Sequence, residues 1–250
     1  MTISTPARRH APARIVPGNI VVAAYLAALG LSAALLFGIQ PMFAKMVLPR
    51  LGGSASVWSV AMVFFQTMLL AGYLYAHLLM RHFGFRSAVA IHLCVIAITF
   101  IGLPIGVAEG FGRPPADGQA FWLIGLFMAS VGAPFFAVAA NAPLLQAWFV
   151  RSGRPDARNL YGASNIGSFA SLLAYPLIVE PYLTLHEQSG LWTGGFVALA
   201  VLIAGCALLV LIAGPASEAG RLAAAATLRE RAIAWNGLSW PSCRRRCWSR

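Results

Sequence analysis

Long uncharged apolar runs alternate with short polar stretches along the chain, and the runs occupy residues 19–39, 57–80, 87–107, 121–150, 160–179 and 191–213. An α-helix needs about 20 predominantly apolar residues to cross a bilayer, so each run reads as one span. The pattern predicts an all-α fold: a polytopic membrane helix bundle of about six transmembrane helices. A basic tail, residues 1–18, precedes the bundle, and residues 214–250 follow it as a cytoplasmic linker and tail.

The polar positions within and between the runs refine this outline. Arg8, Arg9 and Arg14 precede the first run in the manner of a signal peptide. That run is longer than an h-region of about 7–15 residues, and Gln40-Pro41-Met42-Phe43 stands where a small-residue cleavage site would be, so it reads as a retained span. Pro41, Pro49, Gly52 and Gly53 then predict a turn, because proline removes a backbone donor and disfavours helix at the residue before it. Met42, Phe43, Met46, Val47 and Leu48 around Lys45 suit a short segment in the membrane interface.

The fourth run exceeds the length of one span, and Pro134 and Pro143 are expected to kink it. The fifth is the least apolar, with Ser164, Asn165 and Ser168 inside it. Ala163, Gly167 and Ser171 recur at every fourth position, which places small side chains on one helix face and permits close approach of a neighbouring backbone. This helix is expected to be the central packing element.

Composition and charge add orientation. The chain is 59% hydrophobic and 10% charged, against about 25% charged in a typical soluble domain. The net charge of +11 would suggest a nucleic-acid partner in a soluble protein, but here the basic residues lie at the ends and in short loops, so the partner is the lipid bilayer. Of the 18 basic residues only Lys45, Arg50 and Arg113 fall on the side opposite the N-terminus, and the positive-inside rule then puts both termini in the cytoplasm.

Residue inventory excludes several chemistries. Lys45 is the only lysine and is followed by Met46, so a phosphate-binding P-loop cannot exist. There is no H-E-x-x-H, and His77, His82 and His92 lack paired carboxylates, so no metal site is assigned and these histidines read as interfacial or packing residues. Cys94 and Cys206 fall inside apolar runs as small hydrophobes. Cys243 and Cys247, in a C-x-x-x-C spacing without histidine, give neither a metal site nor a disulfide framework.

Polar side chains at membrane depth are the remaining candidates. Gln66, Asn141, Gln146 and Asn165 lie within spans, and Glu180 lies beside Pro181 at the end of the fifth. Such groups face the bundle interior to hydrogen-bond across helices, or line a polar cavity where proline-broken helices expose carbonyls to a cation.

The runs QPMFAKMVLPRLGGSASVW, FFQTMLLAGYLYAH, NAPLLQAWF and YGASNIGSFASLLAYPLIVEP resemble the membrane half of bacterial fused MFS-type transporter/spermidine synthase-like membrane proteins. The resemblance covers roughly residues 19–213. It implies a transporter-like domain of the bacterial inner membrane and the handling of a polyamine or other small cation. Full-length members couple this region to an aminopropyltransferase-like domain, which requires a glycine-rich turn between strand and helix. Gly110-Phe111-Gly112 runs instead into Arg113-Pro114-Pro115, so the catalytic half is expected to be absent, with no enzyme activity and no cofactor. A non-catalytic membrane scaffold or assembly partner is the alternative, and a stand-alone small transporter a third. Beyond Leu228 the crowding of Trp235, Trp240, Trp248, Cys243, Cys247 and arginines leads to the expectation that the reading frame has shifted and the chain is truncated.

Overall fold

In the computed structural model, which describes residues 18–51, 54–112, 114–115, 118–151 and 158–213, the first apolar run does not end at a hinge. It belongs to helix α1, Gly18–Leu51, which passes through Pro41 and Pro49. The expected interfacial segment is thus helix, and Gly52 and Gly53 lie outside the described residues. Each proline removes one hydrogen bond, whereas a turn at membrane depth would strip several backbone groups of their partners at several kcal/mol each. Ile39, Met42, Phe43 and Val47 recur at three- and four-residue steps and are almost fully enclosed. Phe43 meets Phe127 edge-on at 5.0 Å between ring centroids, so packing holds the continued helix in place.

Helix α2, Ala55–His82, starts at Ser54, whose hydroxyl accepts from the Val57 amide at 3.5 Å. Helix α3, Phe85–Thr99, closes in a 3₁₀ turn at Phe100–Gly102. The third run was expected to stay helical to residue 107, but Pro104 halts it. The segment beyond folds back onto the bundle: Ser189 Oγ donates to the Ile105 carbonyl at 2.6 Å, and the Ala108 amide donates to Ser130 Oγ at 2.9 Å.

The fourth span is a rod of two helices, α4 at Gln119–Phe127 and α5 at Ala133–Arg151, joined by a π turn at Met128–Gly132. Pro134 lies two residues past the turn, where a missing N–H would leave a carbonyl of a regular α-helix unpaired. The fifth span repeats the device: α6, Arg158–Ala174, passes through a π turn at Tyr175–Val179 containing Pro176 into α7, Glu180–Tyr182. Helix α8, Leu185–Ala213, begins earlier than the sixth apolar run. A capping box fixes its start, with the Thr184 amide donating to Glu187 Oε2 at 2.8 Å and the Glu187 amide to Thr184 Oγ1 at 3.4 Å.

Among the described residues there is no strand, and six helices or rods are long and apolar enough to cross a membrane. Met62, Val63, Leu70, Ile101, Phe121 and Val201 stand exposed on the outside of the bundle, a surface that only lipid or another membrane helix can cover. The chain is a multi-pass membrane protein. Its tails, residues 1–17 and 214–250, including the segment for which a shifted frame is expected, Cys243 and Cys247, lie outside the described residues. So do Arg113, Asp117, Arg154 and Asp156.

Helix α1, not α6, is the hub. It packs against α6, α8, α5 and α2, while α2 lies along α5 and α3 sits against α5 and α8. The extensive interhelical contact of α6 is with α1 alone, which corrects the expected central position. Its small-residue face does make a close crossing: Ser171 Oγ donates to the Ala34 carbonyl at 2.8 Å, and Ala163 and Gly167 face Gly30. One face of small residues accommodates one neighbour; Tyr161, Ile166, Phe169 and Leu173 on the other faces remain exposed.

Candidate functional site

Helices α2, α3 and α5 meet around four polar side chains. His92 lies midway along α3 and is fully buried. Its Nε2 lies 2.8 Å from Asn141 Oδ1 on α5. An amide oxygen can only accept, so in this arrangement Nε2 carries the proton and donates. His92 and Asn141 are 0% and 1% exposed.

Aromatic residues complete the surroundings. Tyr75 on α2 lies 6.0 Å from the His92 ring, and Trp148 on α5 meets that ring edge-on at 6.2 Å. Trp148 in turn contacts Phe85 at 6.0 Å, and the Arg151 guanidinium lies 5.2 Å over the Phe85 ring. An aromatic path therefore links the basic end of the bundle to the buried histidine.

The Tyr75 hydroxyl, His92 Nδ1, Asn141 Nδ2 and Trp148 Nε1 are all buried, and none makes a hydrogen bond among the described residues. A buried polar group left unmatched costs about 1–3 kcal/mol. Three such atoms on neighbours of His92, with its own Nδ1, form a polar centre able to offer donors from Asn141, Trp148 and Tyr75 and a lone pair from His92 Nδ1.

The other residues singled out in the sequence do not converge on this centre. Gln66 is exposed on the outer side of α2, Asn165 is exposed on α6, and Gln146 is half-buried on α5. Only Asn141 faces the interior fully. Glu180 is exposed and already paired: Lys45 Nζ donates to its Oε1 at 2.9 Å. The Glu180 carboxylate thus has the Lys45 ammonium beside it.

A second opening, of about 210 Å³, lies between α1, the π turn at Tyr175–Val179 and α8. Its polar groups are matched. Tyr175 donates to Gln188 Oε1 at 3.1 Å, Gln188 Nε2 to the Leu183 carbonyl at 2.9 Å, and Trp192 Nε1 to the Leu35 carbonyl at 3.0 Å. This space is lined mostly by apolar side chains and presents less unmet chemistry than the His92 centre.

No family model, curated protein or solved structure matches the chain. Function therefore rests on the residues themselves. Among the described residues no group of three or more His, Cys, Asp or Glu side chains could hold a metal ion. Cys94 is exposed and Cys206 buried, both as free thiols. Tyr75, His92 and Trp148 were not among the sequence candidates as a binding centre. The available signal was a histidine in the middle of an apolar run, a position where an ionisable side chain is costly and for that reason informative.

Proposed function

We propose that the chain is a transporter-like multi-pass protein of the bacterial inner membrane, oriented with both ends of the bundle's chain in the cytoplasm, and that His92 and Asn141 form its station for a small polar or cationic solute. The observation that carries this proposal is the enclosed His92–Asn141 pair with unmatched polar atoms around it. His92 Nδ1, without a hydrogen-bond partner among the described residues, offers a lone pair to a donor on a small solute. No catalytic step is assigned.

The distribution of charge supports the orientation. Lys45 and Glu180 meet at one end of the bundle, while Phe85 and Arg151 meet at the other, as alternating spans require. The resemblance to polyamine-associated membrane proteins makes spermidine the first solute to test. A polyamine carries several ammonium groups, however, and the acidic side chains described, Glu109, Glu180 and Glu187, are all exposed. A small solute with both a donor and an acceptor group matches the His92 centre better, since Asn141 Nδ2 and Trp148 Nε1 can only donate and His92 Nδ1 can accept.

The test uses the full chain in proteoliposomes loaded with a pH-sensitive dye, with and without an imposed spermidine or monovalent-cation gradient. Gradient-driven flux that His92→Phe abolishes is the expected result. Absence of flux, together with no spermidine binding to the purified protein, would leave the assembly-partner alternative. A specific observation favours that alternative: Gln66 and Asn165 present amides on open helix faces, where a partner helix could bond them.

A further inference from the structure

At the end of the bundle away from Glu180, a cavity of about 440 Å³ opens where α2 passes into α3 and where α5 and α8 end. Arg86 and Arg151 both line it, together with Ser87. Neither guanidinium has a carboxylate partner among the described residues. Two arginines around one cavity offer planar, forked donors of the geometry that phosphate oxygens accept.

The backbone adds to the same field. Gly84 caps α3 without a side-chain hydrogen bond, and the first turn contains no acidic residue. The Ala88 amide is bonded to the Gly84 carbonyl, so the amides of Phe85, Arg86 and Ser87 precede the helix's own hydrogen-bond ladder. Arg151 is held in position over the Phe85 ring, which reduces the freedom it would lose on gripping an anion. From α8 come Val210 and Leu211, aliphatic side chains that suit the start of an acyl chain.

We propose that this cavity is a binding site for a phosphate-bearing anion, gripped by Arg86, Arg151 and the first turn of α3. Its setting at the membrane surface, with basic and aliphatic groups both lining it, fits the phosphate of an anionic lipid head group; a free phosphate shares the same chemistry.

The full chain, purified in detergent, is titrated with short-chain phosphatidylglycerol and separately with inorganic phosphate, following thermal stability and direct binding. Saturable stabilisation by at least one probe is expected. Arg86→Gln combined with Arg151→Gln should weaken it by about tenfold or more, and Arg81→Gln, a basic residue on α2 that does not line the cavity, should leave it unchanged. Preference for phosphatidylglycerol identifies a lipid site, and equal or tighter binding of inorganic phosphate identifies a soluble anion; each supports the phosphate site. Failure of wild-type protein to bind either probe saturably would overturn it, as would equal weakening by Arg81→Gln, which would reduce the effect to general surface charge.

Discussion

Gly167 on α6 lies against the carbonyl of Gly30 on α1 with no room for a methyl group between them. The two backbones cross at the distance that only hydrogen side chains permit, and the Ser171 bond to the Ala34 carbonyl, one turn further along, continues the same contact. Gly167→Ala should therefore lower stability in detergent by about 1–3 kcal/mol, read as a lowered melting temperature. Gly162→Ala on the same helix, where an added Cβ meets nothing within 4 Å, is the matched control. It should be neutral or stabilising by up to about 1 kcal/mol, since alanine is the better helix former. Equal loss in both variants would mean that α6 does not dock on α1 through this face.

The His92–Asn141 pair should behave as a unit. Asn141→Leu leaves the His92 donor buried without its acceptor and should cost about 1–3 kcal/mol. Adding His92→Phe removes the stranded donor, so the double variant should be more stable than the sum of the single effects implies. A double-mutant cycle on thermal unfolding measures this coupling. Strict additivity would show that the two side chains do not interact.

Lys45 and Glu180 form an ion pair of the opposite character, with side chains 39% and 44% exposed. An exposed pair contributes about 0–1 kcal/mol and is screened by salt. Glu180→Gln should change stability by no more than that, with the difference fading at high ionic strength. It should also leave spermidine binding unaltered. A large loss of binding in this variant would return Glu180 to the solute path.

Topology can be checked with reporter fusions. A cytoplasmic reporter should be active after Arg86 and Arg158, and an external one after Arg113 and Glu187. Reversal at any junction would contradict the charge-based orientation.

The six spans were legible because a bilayer imposes a minimum length of apolar sequence. Their ends and faces were less so. Pro41 and Pro49 read as a hinge from local rules, yet α1 continues through both because Ile39, Phe43 and Val47 are enclosed by neighbours distant in sequence. The start of α8 was available in Thr184-Leu185-His186-Glu187, a capping box that the apolar-run boundary obscured. Helix phase was the harder problem. In soluble helices polar residues mark the outer face, but lipid makes the outer face as apolar as the inner one. Gln66, among the exposed Met62, Val63 and Leu70, therefore looked no different from Asn141, which is enclosed. Packing partners, not sequence, separate them.

The role of α1 as hub also has a temporal side. Its contacts reach far along the chain, from Ala34 to Ser171, Leu35 to Trp192 and Tyr25 to Cys206, the last across 181 residues. At synthesis rates of about 5–20 residues per second, the final pairing cannot form until roughly 10–35 s after Tyr25 has emerged. The Ala34–Ser171 contact is completed sooner, since it spans 137 residues, so α6 can dock on the Gly30 and Ala34 face of α1 before α8 is made. A helix that leans on a single neighbour depends on that one crossing for its place in the bundle.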